Sequence, residues 1–188
     1  PVVVYQFYDG GADGDIMFVA CTTPDCATFN TPVVIEDHPT NLLGSSLDMA
    51  ITPAGNPVIT YYDFNNSDLR FIACTAVDCS TTTPSIILDS FGVTGQSMFM
   101  TINSTGFPII SYWDFQEGGL GVIICTAVDC STTNPQLLFD VGTPISQHGV
   151  YSSIEIIGWN PVISYQNGDT GDLRFLRCTA PDCSTANA

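Results

Sequence analysis

The chain alternates short apolar runs with short polar turns from one end to the other. "PVITYYD" (57–63), "PIISYWD" (108–114) and "PVISYQN" (161–167) are β-branched and aromatic runs, and the chain opens on a similar one, "PVVVYQF" (1–7). Each leads through a turn of Gly, Asn and Asp to a second apolar run that ends on a cysteine: "DIMFVAC", "DLRFIAC", "GLGVIIC" and "DLRFLRC". Run, polar turn, run is the pattern of a β-hairpin. Past the cysteines comes a proline and a third run, "PVVIED", "PSIILDS" or "PQLLFDV". A Gly/Ser-containing loop then leads to a fourth, "SLDMAIT", "SMFMTIN" or "SSIEIIG". No segment keeps a 3.6-residue apolar stripe over three turns, so almost no helix is expected.

The runs recur with a fixed period. "CTAVDCSTT" stands at 74–82 and again at 125–133, with looser copies from Cys21 and Cys178; the first cysteines are 53, 51 and 53 residues apart. Four short strands per unit of about fifty residues is the pattern of a propeller blade. We label the strands of a blade a (innermost), b, c and d. The expected fold is all-β: a β-propeller of about four repeats of a four-stranded antiparallel blade, each about 51–56 residues. The repeat units are 1–56, 57–107, 108–160 and a partial 161–188, forming one repeat domain, 1–188. Strand counting gives b, c, d, two full sets, then a, b, c. That makes 14 strands, with strand a missing from the first blade and strand d from the last. Pro57–Asp63 and Leu69–Thr75 should pair as neighbours. A parallel β-helix is the runner-up, but its coils are shorter.

Eight cysteines fall in four C-x4-C pairs, which raises either metal binding or local disulfides. Zinc favours tighter knuckles and needs four ligands brought together. Here each pair lies in a different repeat, and His38 and His148 occupy no repeated position. Four disulfides are therefore expected: Cys21–Cys26, Cys74–Cys79, Cys125–Cys130 and Cys178–Cys183. Closing so short a loop is worth about 2 kcal/mol. Disulfides of this kind belong to an oxidising compartment, so the protein is expected outside the cell, secreted or on its surface.

The unit "GNPVITYYDFNNSDLRFIACTAVDCS", Gly55 to Ser80, resembles a repeat found in tandem in extracellular bacterial and archaeal proteins. There a G-N-P-x-I-S-Y-Y-D hairpin leads to a D-L-K/R strand and a cysteine pair. The resemblance runs through all four copies. It implies a β-propeller and secretion, and it carries over no catalytic residue. Copy one departs by an insertion in its turn. Copy three has Gly121 where copies two and four have Arg70 and Arg174, and copy four has Asn167 in place of Asp63 and Asp114.

Charge narrows the partners. The 188 residues hold 19 acids and no lysine; Arg70, Arg174 and Arg177 are the cations, and the formal charge is −16. Such a surface repels nucleic acid and anionic lipid. No apolar run reaches about 18 residues, so no membrane insertion is expected. The chain begins inside an apolar run without a Met or a signal peptide, and reads as processed or cut from something longer.

Candidate sites are few. In "DGGADGD", Asp9, Asp13 and Asp15 offer oxygen ligands for calcium, the one cofactor suggested; a solvated hairpin turn is the competing reading. "NGDTGD" (167–172) is a weaker version. Tyr62 and Trp113 near the end of strand b, and Trp159 in a turn, are candidates for stacking on a glycan. Against this, adjacent strand residues face opposite ways, so one of each aromatic pair should pack between blades. Arg70 and Arg174 hold equivalent positions, which points to a structural pairing with repeat acids such as Asp63 or Asp68. His38 and His148 fall between strands d and a, and no nucleophile–base arrangement stands out, so no catalytic residue is assigned. The Ser/Thr stretches after the second cysteines and the sequons at Asn65 and Asn103 are candidate glycosylation sites.

Three functional classes follow. The first is a structural extracellular protein, the subunit of a surface fibre or biofilm matrix, whose incomplete terminal blades are completed head-to-tail by other copies or by further repeats of a longer parent chain. The second is a carbohydrate-binding, lectin-like propeller. The third is a glycosidase, for which 19 acids supply material but no distinctive pair. The first is favoured, and no enzyme activity is expected.

Overall fold

Four b–c hairpins, each extended on one or both sides, make four antiparallel sheets. A computed structural model describes residues 1–8, 14–37 and 42–187. Sheet I holds β1 (Val2–Phe7), β2 (Asp15–Ala20) and β3 (Val33–Glu36), in that order. Sheet II holds β4 (Leu43–Ile51), β5 (Pro57–Asp63), β6 (Asp68–Ala73) and β7 (Ile86–Asp89). Sheet III holds β8 (Thr94–Ile102), β9 (Pro108–Asp114), β10 (Gly119–Ile124) and β11 (Leu137–Phe139). Sheet IV holds β12 (His148–Ile157), β13 (Asn160–Asn167), β14 (Asp172–Cys178) and β15 (Ala186–Asn187). Among the described residues there is no helix. These are propeller blades with strands a to d in chain order, and the first has no strand a among its described residues.

Three details differ from expectation. The last blade does have a strand d: β15 pairs with β14 through Arg177↔Asn187 and Cys178↔Ala186, giving fifteen strands among the described residues. The cysteine turn, closed by a Thr179 N–H bond to the Thr185 carbonyl, carries the chain back beside β14. Strand c of the second blade stops at Ala73 rather than Thr75, because the chain already bends at Cys74 into an isolated bridge with Thr82. Finally, the inner strands start earlier than their apolar runs. Gly44–Ser45 and Gly95–Gln96, which read as loop, belong to β4 and β8, and His148 heads β12 instead of lying in a linker.

The bulged start of each inner strand explains that misreading. Register slips between Leu43 and Leu47, between Thr94 and Phe99, and between His148 and Ser153. Gly44, Gly95 and Gly149 sit there with positive φ, and Ser97 and Tyr151 share a left-handed φ of 51°. A bulge bends its strand and re-aims side chains. The glycines also allow close approach between blades. A Cβ on Gly95 would lie 2.7 Å from Leu69 Cβ, and one on Gly149 2.7 Å from Leu120 Cα, each a residue of strand c in the preceding blade.

Both faces of a central blade are buried, as its doubly apolar strand b requires. One face of sheet II (Ile59, Tyr61, Ile72) packs on Ile16 and Phe18 of sheet I. The other (Val58, Tyr62, Leu69, Phe71) packs on Met98, Met100, Ile110 and Tyr112 of sheet III. Sheet III in turn meets sheet IV through Ile109, Leu120 and Val122 against Ile154, Ile163 and Tyr165. The row of blades does not close: the outward face of sheet IV and the outward face of sheet I stay open. Leu173 and Phe175, equivalent to the fully buried Leu69 and Phe71, are 82% and 55% exposed.

Candidate functional site

The cysteine turns repeat closely, the last three almost atom for atom. Cys21–Cys26, Cys74–Cys79, Cys125–Cys130 and Cys178–Cys183 are disulfides, with Cα–Cα separations of 4.8–4.9 Å. Each second cysteine is left-handed, with φ between 50° and 57°. An aspartate one residue earlier closes the turn. Asp78 Oδ1 accepts from Ser80 N at 3.1 Å and Ser80 Oγ at 2.7 Å, and Asp129 and Asp182 do the same for Ser131 and Ser184. These hydrogen bonds hold the carboxyls of Asp78, Asp129 and Asp182 below their ordinary range. Four such disulfides place the protein in an oxidising environment.

A second repeated feature lies between the blades, and the sequence reading missed it. The acid ten residues past the second cysteine (Glu36, Asp89 and Asp140) faces the tyrosine of strand b in the next blade. Tyr112 donates to Asp89 Oδ2 at 2.7 Å, and Tyr165 to Asp140 Oδ2 at 3.2 Å. Burial, and then the neighbouring carboxylate, raise all three phenols: Tyr61 beside Glu36, Tyr112 beside Asp89, and Tyr165, pushed up to about 12, beside Asp140. Around this contact the blades differ. Between sheets I and II, Arg70 lies 3.4 Å from Asp63 and 3.7 Å from Glu36, and Ser85 Oγ donates to Glu36 at 2.9 Å. Burial opposes the Arg70 charge, but Tyr61, Asp63 and Glu36 outweigh it and hold the guanidinium above its ordinary pKa. Between sheets II and III, the arginine is replaced by Gly121, and the Gln136 amide instead donates to Asp89 and Asp114, both at 3.1 Å. Between sheets III and IV, Arg174 lies 3.7 Å from Asp140, and His148 Nδ1 meets the Asp140 carbonyl at 2.7 Å. The expected arginine pairing is therefore found with Asp63, and its other partners are the strand-d acids. The signal in the sequence was the recurring acid at the fourth position of "VVIED", "IILDS" and "LLFDV".

The end of strand b has a different task. Asp63, Asp114 and Asn167 accept from backbone N–H groups of the following turn, at 3.3 Å from Asn66, 3.0 Å from Glu117 and 3.2 Å from Thr170. For this turn an acceptor oxygen suffices, so Asn167 can stand where the other copies have an aspartate; Asp63 and Asp114 also meet Arg70 and Gln136.

At the same end of the sheets, a groove of about 640 Å³ opens where β4, β8 and β12 converge. Phe64, Phe99 and Tyr151 supply exposed rings, and Ser46, Gln96 and Ser97 supply polar groups. None of the residues lining it is charged.

The sequence candidates fall in different places. Tyr62 reaches the groove but is only 3% exposed; its ring supports Phe64 edge-on at 6.2 Å. Trp113 is tied down by its Nε1–H bond to the Ser146 carbonyl at 3.1 Å and packs edge-on against Phe115. Trp159 is exposed in the turn after β12, at the opposite end of that strand from the groove. Of the calcium candidates, Asp15 opens β2 opposite Phe7, while Asp9 and Asp13 lie outside the described residues, as does His38. Among the described residues no group of three or more His, Cys, Asp or Glu is placed to hold a metal ion. No helix among them is long and apolar enough to cross a membrane.

No family model and no curated protein matches this chain. Among solved structures it is similar to an exo-beta-1,3-galactanase from Clostridium thermocellum, with a TM-score of 0.57 at 11% identity. That match covers 98% of this chain but 44% of the galactanase, so the chain spans under half of that protein's length. At this identity the likeness concerns fold: the chain has the all-β, propeller-like architecture expected from its repeats.

Proposed function

We propose that the protein is a structural module of an extracellular assembly, built by packing the last blade of one copy against the first blade of the next. The observation that carries this reading is the state of Leu173 and Phe175. Their equivalents Leu69 and Phe71, like Leu120 and Val122, are fully buried under the next blade, whereas these two are 82% and 55% exposed. At the other end, Val3 is 44% exposed where its equivalents Ile59, Ile110 and Ile163 are all 0%. The two open faces are thus the two halves of an interface that the chain builds three times within itself. Burying one such apolar side chain is worth about 1.5–3 kcal/mol. The contact joins unlike faces, so it closes into a ring or propagates as a filament. The disulfides and the resemblance to tandem repeats of secreted proteins support an extracellular setting, at a cell surface or in a matrix. Asp89 and Asp114, two acids brought to one amide, are buried and engaged by Tyr112 and Gln136, which suits holding blades together rather than hydrolysing a glycoside.

Sedimentation velocity over a wide concentration range tests the proposal. The native chain should associate, and a Leu173→Asp/Phe175→Asp variant should remain monomeric with its melting temperature nearly unchanged, since both side chains are already in solvent. A native chain that stays monomeric at high concentration would sink the reading.

A further inference from the structure

We infer that the groove at the meeting of the three inner strands binds a neutral saccharide, stacked on Tyr151 and Phe64. The backbone points there first. Tyr151 is a bulky non-glycine residue at φ 51°, at the position equivalent to Ser97, which has the same angle. A left-handed tyrosine is a costly conformation, and such strain concentrates where a side chain must be presented rather than packed. Here the bulge turns the ring out, leaving Tyr151 74% exposed while its strand neighbours Val150 and Ser152 are buried. Phe64 and Phe99, 53% and 42% exposed, complete a set of rings along one groove.

The chemistry of the lining selects the ligand class. Aromatic faces suit the C–H face of a pyranose, and hydroxyl and amide groups suit its hydroxyls. Ser46 and Gln96 bring a hydroxyl and an amide to the lining. The groove carries no charge in a chain of net charge −16, and Arg70 and Arg174 are engaged between blades. No cation lines it to meet a carboxylate, sulfate or phosphate, and the net negative charge of the chain disfavours an anion. About 640 Å³ lies within the usual range for small-molecule sites and suits a short oligosaccharide.

Isothermal titration and saturation-transfer NMR with maltotriose, cellotriose, laminaritriose and a β-galactotriose test this, with sialyllactose as the charged comparison. At least one neutral trisaccharide should bind in preference to sialyllactose. Tyr151→Gly removes the ring and suits a left-handed backbone, so it keeps the fold; it should weaken binding about threefold to tenfold. Tyr151→Phe should keep it within about twofold, since the ring remains. Trp159→Ala, at the far end of the strand, should leave binding unchanged. The inference is overturned if none of the neutral sugars binds, if sialyllactose is preferred, if Tyr151→Gly binds as well as the native chain, or if Trp159→Ala abolishes binding. Because the groove is separate from the open faces, the assembly variant Leu173→Asp/Phe175→Asp should still bind, and loss of binding there would also count against it.

Discussion

At position 121 the repeat gives up an arginine, and the ring of Tyr112 takes its space. A Cβ on Gly121 would lie 2.5–2.9 Å from three ring atoms of Tyr112, so even alanine is excluded without movement. Gln136 replaces the missing guanidinium with an amide shared between Asp89 and Asp114. Restoring the residue found at 70 and 174 should therefore harm the protein. Gly121→Arg is expected to lower unfolding stability by about 1–3 kcal/mol through overpacking, read as a lower urea midpoint. A variant as stable as the native chain would show that the Tyr112 ring is free to move aside. The exchange at 121 was visible in the sequence, but its reason was not. It depends on which side of strand b Tyr112 faces and on an acid contributed from another repeat.

The cysteine turn is the most regular element of the chain and the most local. It was legible because everything that makes it, two cysteines, an aspartate and a serine, lies within seven residues. The b–c hairpins were legible for a similar reason, since a polar turn between two β-branched runs leaves little choice. The inner strands were only half legible. Gly44, Ser45 and Ser46 have the composition of a loop, and a bulged strand needs those residues too. The groove that they help to line was hidden with them: Tyr151 stood in no repeated aromatic position, while Trp113 and Trp159 attracted notice by residue type alone. The turn yields its own prediction. Cys74→Ser/Cys79→Ser should lose about 2 kcal/mol of stability. Cys74→Ser/Cys79→Gly should lose about 0.5–1 kcal/mol less, because Cys79 has φ 52° and glycine tolerates that backbone. Equal melting temperatures for the two variants would remove the left-handed cysteine from the account.

Across the whole molecule, acidity works against folding and sets a pH optimum. Burial raises the carboxyl pKa values of Asp48, Asp68 and Asp114 above 3.8. The folded state therefore holds those protons more tightly than the unfolded chain, and the penalty for their charge is relieved as pH falls through the raised values. Self-repulsion from a net charge of −16 falls over the same range. Asp78, Asp129 and Asp182 act the other way: their support is present above 3.8 and is lost as pH drops through their lowered values. The melting temperature should climb from pH 7 to about pH 4 and decline below it, and Asp114→Asn should flatten the climb. On the alkaline side, the raised phenols of Tyr61, Tyr112 and Tyr165 mean that the unfolded chain loses its tyrosine protons first, so stability should fall beyond about pH 10. Thermal melts across pH that fall steadily from 7 to 4 would contradict the burial of those carboxylates. The contacts between blades have one more effect, on the order in which the blades come together. Near-identical repeats invite mispairing, in which one blade docks where its sibling belongs. Here the three joints carry different polar sets. The Gln136 amide stands between Asp89 and Asp114 at the joint of sheets II and III, where Arg70 stands between Glu36 and Asp63 at the joint before it. The tyrosine–acid contact is common to all three joints, and the group beside it, Arg70, Gln136 or Arg174, is what a chain that spells the same phrase twice changes from one joint to the next.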